Sequence, residues 1–564
     1  MNDPCGPGYD AKTQTYHLFY QWNPASCEWG NISWGHVTSK DLVSWTYARE
    51  SPVLTPIDSY DKQGVFTGCF LPQGINGERD QMSLIYSSVC YLPIHWSLPY
   101  KRGCEGISIA VSNDAGNTWP KLPQNPALEE EPEGIAVTGF RDPYVAAWPE
   151  MDIVLGRESP QLYGIVSGGV KSKGPAVFLY SLDPHDLTRW DYLGFLLHSQ
   201  CNLQKSPKWS GDFGVNWECA GFMTLHSDDR LSSRNFIVFG TEGGRQRLWI
   251  EKYQSGKPEE FPRRTIRYSI WTSGSLKREQ QGGATMTQDF EGILDHGCFH
   301  AASSFHDPVS DRRILWGWLP EEDLPISYCT NKGWNGTLSL PRELFIQKMS
   351  RVSGTLRSSI SEIASIHAER NHHDGLYTIE TLGIRPLQDL ESLRSKDVIA
   401  LKDIELPGKN TPCSRISIES TTWELCSTIH VRNACLSVGI KIGYDKTEDV
   451  ETIITFKPEK EEIVVVREKS NKLLDVNKSD EIGPFTLFKI LGEKGEMVEP
   501  LKLRVFYDKD VLEVFANDRF ALSTMVYAGP TPALSVSLFA EGLEGTAIFE
   551  EVNIWRGMKS ILKT

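Results

Sequence analysis

The chain is predicted to be all-β, a five-bladed β-propeller followed by a C-terminal β-sandwich. Three observations carry this expectation. Over the first ~345 residues, short apolar or alternating runs recur between clusters of Gly, Pro, Asn and Asp, with no long stripe at helical spacing. A degenerate turn repeat punctuates that region. Beyond it the texture changes to a second set of alternating strands.

Runs such as Tyr16-His17-Leu18-Phe19-Tyr20, Met82-Ser83-Leu84-Ile85-Tyr86 and Asn235-Phe236-Ile237-Val238-Phe239 typify the first region. The repeat is Ser39-x-Asp41 leading to Trp45, Ser112-x-Asp114-x-Gly116-x-Thr118 leading to Trp119, and Ser181-x-Asp183 leading to Trp190. Ser and Asp side chains accept N–H groups within a turn while the Trp packs beneath. A unit of about 70 residues suits one four-stranded blade with long loops, and five would fill about 350 residues.

Past Leu338-Ser339-Leu340-Pro341-Arg342-Glu343-Leu344, the segment 385–395 reads as a short connecting helix with Leu387, Leu390 and Leu393 on one face. New strands follow, among them Ser414 to Ile418, Thr452 to Phe456, Glu462 to Val466, Leu503 to Tyr507, Leu512 to Ala516 and Ala533 to Leu538, separated by turns such as Asn517-Asp518. The expected division is a propeller over residues 1–380, a linker with a short helix over 381–405, and a sandwich over 406–564.

Composition bounds the function. At 564 residues the chain exceeds one ordinary core. A net charge of −15 with no long basic run argues against nucleic acid or an anionic membrane surface as partner. No stretch approaches the ~20 apolar residues of a membrane span. Twelve Cys are scattered without a Cys-x-x-Cys pair, and no His joins them at zinc spacing, so no metal is expected; disulfides stay open. The start shows no basic segment followed by an apolar run, and it falls inside the first acidic motif. That implies either an intracellular form or a missing upstream segment, and an unanchored start predicts a fraying first loop.

Three acidic signatures sit in aromatic, turn-rich sequence: Met1-Asn2-Asp3-Pro4-Cys5-Gly6, Gly139-Phe140-Arg141-Asp142-Pro143 and Asn216-Trp217-Glu218-Cys219-Ala220-Gly221. Their spacings are close to two blades and one blade, which would turn all three carboxylates into one central funnel. Glycosidic cleavage needs one carboxylic acid to protonate the leaving oxygen and a second carboxylate as nucleophile or base. Glu218, among Trp217, Cys219 and Phe222, suits the acid, its pKa raised by desolvation. Asp3, in a turn beside Pro4 and Gly6, suits the nucleophile. Asp142, next to Arg141, is expected to stay ionised and bind substrate hydroxyls. This chemistry needs no cofactor, and its partner is a small carbohydrate.

The series resembles glycoside hydrolase family 32, the β-fructofuranosidases and fructosyltransferases. The motifs carrying the likeness are Asn2-Asp3-Pro4, Gln21-Trp22-Asn23-Pro24, Trp29-Gly30-Asn31 with Trp34-Gly35-His36, Phe66-Thr67-Gly68, Arg141-Asp142-Pro143, Glu218-Cys219, Ile314-Leu315-Trp316-Gly317-Trp318, Leu338 to Leu344 and Leu512 to Asp518. The resemblance implies a retaining double displacement on sucrose or fructo-oligosaccharides, with Asp3 as nucleophile, Glu218 as acid/base and Asp142 as transition-state stabiliser. Asn2, Gln21, Trp29, Phe66, Thr67 and Arg141 would line the fructose subsite. Retention places the Asp3 and Glu218 carboxyls about 5–5.5 Å apart. Cys5, and the sequence Gly64-Val65-Phe66-Thr67-Gly68, look like the fungal fructosyltransferase branch, in which Glu242 would contact the sugar beyond the fructose. The family likeness implies an extracellular protein. Alternatives are a fructan hydrolase and a sugar-binding propeller weakened by its abrupt start. The sialidase-like turn at Ser112 to Trp119 reads as structural, since only Arg141 has a setting comparable to a sialidase arginine.

Overall fold

The computed structural model describes residues 1–244, 264–280, 282–406, 415–446, 449–529, 532–542 and 546–563. Five antiparallel sheets come first. Their opening strands are Pro4–Asp10, Gly64–Leu71, Val137–Ala147, Asn216–His226 and His300–Asp307. Each opening strand touches the next, and the fifth touches the first, so the sheets close into a ring. Each opening strand is the inner edge of its sheet, so five strand edges line the centre of the ring.

The repeat works as its residue types require. Asp41 accepts the N–H groups of Val43 and Ser44, and Asp114 accepts that of Thr118. The indole N–H of Trp45, Trp119 and Trp190 closes each turn on the carbonyl of Leu42, Gly116 and Leu187. A further turn of this kind, Ser227 with Asp229, lacks the Trp and so escaped the sequence pattern.

All five opening strands also share a defect. The ladder slips between Cys5 and Gly8, Val65 and Gly68, Arg141 and Tyr144, Glu218 and Gly221, and His300 and Ser303. Gly6, Asp142, Cys219 and Ala301 sit at these slips with φ of 47°, 60°, 50° and 53°. At Gly68 a Cβ would lie 2.0 Å from the Ile85 carbonyl oxygen, so only glycine fits. Such bulges re-aim side chains that regular alternation would send into the sheet.

Two six-stranded sheets follow and share one core, including Trp423, Val438, Ile440, Val505 and Val536. The strand expected from Ser414 is present over Arg415–Ser420, Ser414 itself lying outside the described residues, and the other strands expected up to Leu538 are present. The turn Asn517-Asp518, with φ of 46° and 53°, joins Val511–Ala516 to Phe520–Met525 as a tight hairpin. The fifth ring sheet runs on to Pro386, and the next strand, Val398–Leu406, already pairs with Ala547–Arg556. Between them lies a 3₁₀ segment, Gln388–Leu393, in place of an α-helix; Leu387, Leu390 and Leu393 are buried as expected. The strands Phe488–Gly492 and Gly495–Val498 return to the fifth ring sheet, so the two sheet systems exchange chain. The eleven cysteines described are free thiols; Cys413 lies outside the described residues. Among the described residues no helix is long and apolar enough to cross a membrane.

Arg342 locks the ring to the sandwich. Fully buried, it donates to Asp295 at 2.9 Å, to Glu513 at 2.8 Å and to Ser523 at 2.6 Å. Removing a cation from such a site leaves two buried carboxylates uncompensated, a loss of about 3–5 kcal/mol. Arg342→Met should therefore lower the urea unfolding midpoint; an unchanged midpoint would show the pairing to be dispensable.

Candidate active site

The first acidic motif does not form the expected turn. Asn2 N–H donates to the Gln21 carbonyl at 3.0 Å and Gln21 N–H to the Asp3 carbonyl at 2.9 Å, so the segment continues the strand. Met1 N donates to the Asn335 carbonyl at 2.8 Å, which joins this segment to the loop before Thr337–Leu338. The Asp3 side chain points inward. Its Oδ2 accepts from Thr67 Oγ1 at 2.5 Å, and Gln21 Nε2 donates to Thr67 Oγ1 at 2.7 Å, a relay from amide to hydroxyl to carboxylate. Burial raises the Asp3 carboxyl pKa, and the Thr67 hydroxyl opposes that rise.

Arg141 is the hub of a second cluster. Its guanidinium donates to Glu105 at 3.0 Å, to Glu218 Oε1 through Nε and Nη2 at 3.0 and 2.8 Å, and to Glu242 at 2.9 Å. Asn216 Nδ2 also donates to Glu242, at 2.8 Å. On its other oxygen Glu218 meets His300 Nε2 at 3.3 Å.

Asp142 bridges the clusters. Its Oδ2 accepts the Cys219 backbone N–H at 3.0 Å and lies 3.5 Å from Cys219 Sγ, which is 3.7 Å from Asp3 Oδ2. Burial, with Asp142 and Asp3 adding to it, pushes the Cys219 thiol well up, so the sulfur keeps its proton and faces both aspartates as a weak donor. The Asp142 N–H donates to Ser87 Oγ at 2.7 Å.

The protonation expected of two carboxyls is reversed. Glu218 was to be raised by Trp217, Cys219 and Phe222, but Trp217 turns away to stack on Phe239 at 4.1 Å. Burial would still lift Glu218, yet Arg141 and His300 outweigh it and hold its carboxyl well below the usual range. Asp142 is expected to stay ionised beside Arg141, but the Arg141 guanidinium is engaged by Glu105, Glu218 and Glu242, and the Asp142 carboxylate meets Cys219 instead. Burial, reinforced by Glu218, therefore pushes Asp142 up to about 8. Glu242 is raised as well, by burial and then Glu218. These buried acids titrate as a group, with Asp142 and Glu242 driven toward the protonated form and Glu218 toward the ionised one.

The rim is aromatic. Trp29 is 57% exposed and meets the buried Phe66 edge-on at 5.7 Å. The structure thus gathers Asp3, Gln21 and Thr67 at one wall, Arg141, Glu218 and Glu242 at another, with Asp142 between and Trp29 and Phe66 above. Asn2 enters this frame through its backbone. Sequence reasoning missed Glu105 and His300. His300 lies 82 residues after Glu218, at the matching bulge of the fifth opening strand, so the blade-like spacing was the available signal. Glu105 opens the outermost strand of the second ring sheet, Glu105–Ser112, and carried no motif. Among the described residues no group of His, Cys, Asp and Glu could hold a metal ion.

Residues 1–355 match the glycosyl hydrolases family 32 N-terminal domain, and residues 389–556 match the family 32 C-terminal domain. The insoluble β-fructofuranosidase isoenzyme CWINV1 of Arabidopsis thaliana is 25% identical over 96% of this chain and 85% of its own. Among solved structures, the Aspergillus kawachii β-fructofuranosidase complexed with glycerol superimposes with a TM-score of 0.87 at 28% identity, covering 100% of this chain and 93% of that one. The fructosyltransferase from A. japonicus gives a TM-score of 0.87 at 26% identity, covering 100% and 94%.

The Thr67 hydroxyl is the local brake on Asp3's rise. Thr67→Val should move the Asp3 carboxyl titration to higher pH, read by ¹³C NMR of carboxyl-labelled aspartate. A midpoint that stays or falls would separate Thr67 from Asp3.

Proposed function

The chain belongs to glycosyl hydrolase family 32, and from that premise we propose that it is a retaining β-fructofuranosidase acting on sucrose and related fructosides. The observation that supports this best is the continuity of the cluster. Asp3 is held by Thr67, Asp142 by Cys219 and Glu218 by Arg141; Asp142 and Glu218 stand on opening strands of the ring, and Asp3 directly precedes one. That ring we read as a five-bladed propeller over residues 1–380, the segment 381–405 as the linker and 406–564 as the sandwich, with the strand Val398–Leu406 reaching into the sandwich sheets.

Asp3 attacks the anomeric carbon of the fructosyl unit while Glu218 delivers a proton to the departing oxygen. The bond to the leaving sugar breaks and a fructosyl ester on Asp3 forms. In the second step water or a sugar hydroxyl attacks that carbon, Glu218 takes the proton from the attacking oxygen, and Asp3 leaves as a carboxylate. Water gives hydrolysis; a sugar gives transfer.

The direction of the shifts at Asp142 and Glu218 fits this sequence. Substrate hydroxyls donating to Asp142 favour its ionised form. Because the carboxyls titrate as a group, the proton then moves to Glu218, where the leaving oxygen needs it. Asn2, Gln21, Trp29, Phe66, Thr67 and Arg141 line the fructose subsite in this reading, and Glu242 stands beyond it.

Asp3→Asn removes the nucleophile and should cut kcat on sucrose by roughly 10⁴-fold or more. Proton NMR of the wild-type reaction should show the β-anomer of fructose, or of a methyl fructoside formed in methanol, as the first product. Loss of less than tenfold in the variant, or the α-anomer first, would overturn the proposal.

A further inference from the structure

The strands Met82–Val89 and Glu105–Ser112 pair in register to their ends, Val89 facing Glu105, and the chain leaves the sheet for residues 90–104. Both roots of this loop reach the acidic cluster, since Ser87 accepts the Asp142 N–H and Glu105 pairs with Arg141. The first and last residues of the loop are Cys90 and Cys104, both free thiols. They stand one position beyond the Val89 and Glu105 pair, and so directly opposite each other.

Cys90 N–H donates to the Cys104 carbonyl at 3.0 Å. A hydrogen-bonded antiparallel pair normally exchanges two such bonds, but the Cys104 N–H turns back to the Lys101 carbonyl at 3.1 Å. The base of the loop is therefore closed by one link where the ladder would supply two. Facing residues of such a pair project to the same side, with Cα atoms about 5.5 Å apart, inside the roughly 4.4–6.8 Å that a disulfide spans. Cys90 Sγ points across the gap, 3.5 Å from the carbonyl oxygen of Gly103, the residue before Cys104.

We propose that Cys90 and Cys104 are a thiol–disulfide pair, which a low-molecular-weight disulfide oxidises to staple the base of the loop. Cys90 is half-buried and Cys104 buried, so the oxidant meets Cys90 first. The Cys90 thiolate attacks one sulfur of the oxidant and releases one thiolate; the Cys104 thiolate then attacks the Cys90 sulfur and releases the other. The protein gives up two electrons and two protons, and the oxidant becomes two thiols. Burial, and after it the charge of Glu105, pushes the Cys104 thiol up to about 12, which makes the second step the slower one. The staple supplies the missing second link and holds the roots bearing Ser87 and Glu105 together when the loop opens.

The test treats the reduced full chain with oxidised glutathione and maps its cysteines by mass spectrometry under non-reducing conditions. The peptides carrying Cys90 and Cys104 should appear joined and should separate on reduction. Joining the ends of the loop restricts its open forms, so cleavage of the native chain by trypsin after Lys101 and Arg102 should slow by about tenfold or more. Cys104→Ser should stop at a glutathione mixed disulfide on Cys90 and show no such slowing. A wild-type chain that keeps both thiols, or that stops at the same mixed disulfide, would overturn the pair. A joined pair with unchanged cleavage would overturn the staple. None of these readouts depends on the fructosidase reading.

Discussion

The guanidinium of Arg141 is the contact on which the site depends. It is buried on an opening strand of the third ring sheet and pairs with Glu105 from the second and with Glu218 and Glu242 from the fourth. Three carboxylates gathered this closely around one cation carry more negative charge than it can neutralise. Burial, and after it the charge of Glu218, raises Asp142 and Glu242, while Glu218, touched by both Arg141 and His300, is lowered. A buried ion cluster of this kind adds little to net stability, because desolvation offsets attraction. Its contribution is register: Glu218 is held in one place by Arg141 and His300.

The ring supplies that geometry through repetition. Each opening strand slips by a bulge at the same level, and the site residues flank those slips. Without the slip at Arg141, alternation would be uninterrupted and Asp142 and Arg141 would not both serve the site. Far from the centre, Arg342 fastens the fourth and fifth ring sheets to the sandwich through Asp295 and Glu513. The sandwich thereby braces the sheets that carry Glu218 and His300.

Much of this was legible in the sequence, and what was not has a common cause. Strands announced themselves by alternation, and the Ser-x-Asp turns by residue type, because both are local. Asp3, Asp142 and Glu218 stood out since a carboxylate beside Pro, Arg or Trp in a turn-rich setting is unusual, and the structure brings them together. Glu105 and His300 remained hidden because their roles arise only from partners 36 and 82 residues away. The protonation pattern departs from the sequence expectation for the same reason: neighbours in sequence are not the partners in space, since Arg141 meets Glu218 and Trp217 meets Phe239. The return of residues 488–498 to the ring was equally invisible, being a pairing between strands far apart in the chain.

Incubating the purified chain with concentrated sucrose and quantifying free glucose and free fructose separately tests the central claim most directly. The account predicts glucose release, with fructose equal to it where water resolves the fructosyl ester and in deficit where a sugar does. The appearance of neither sugar would contradict it.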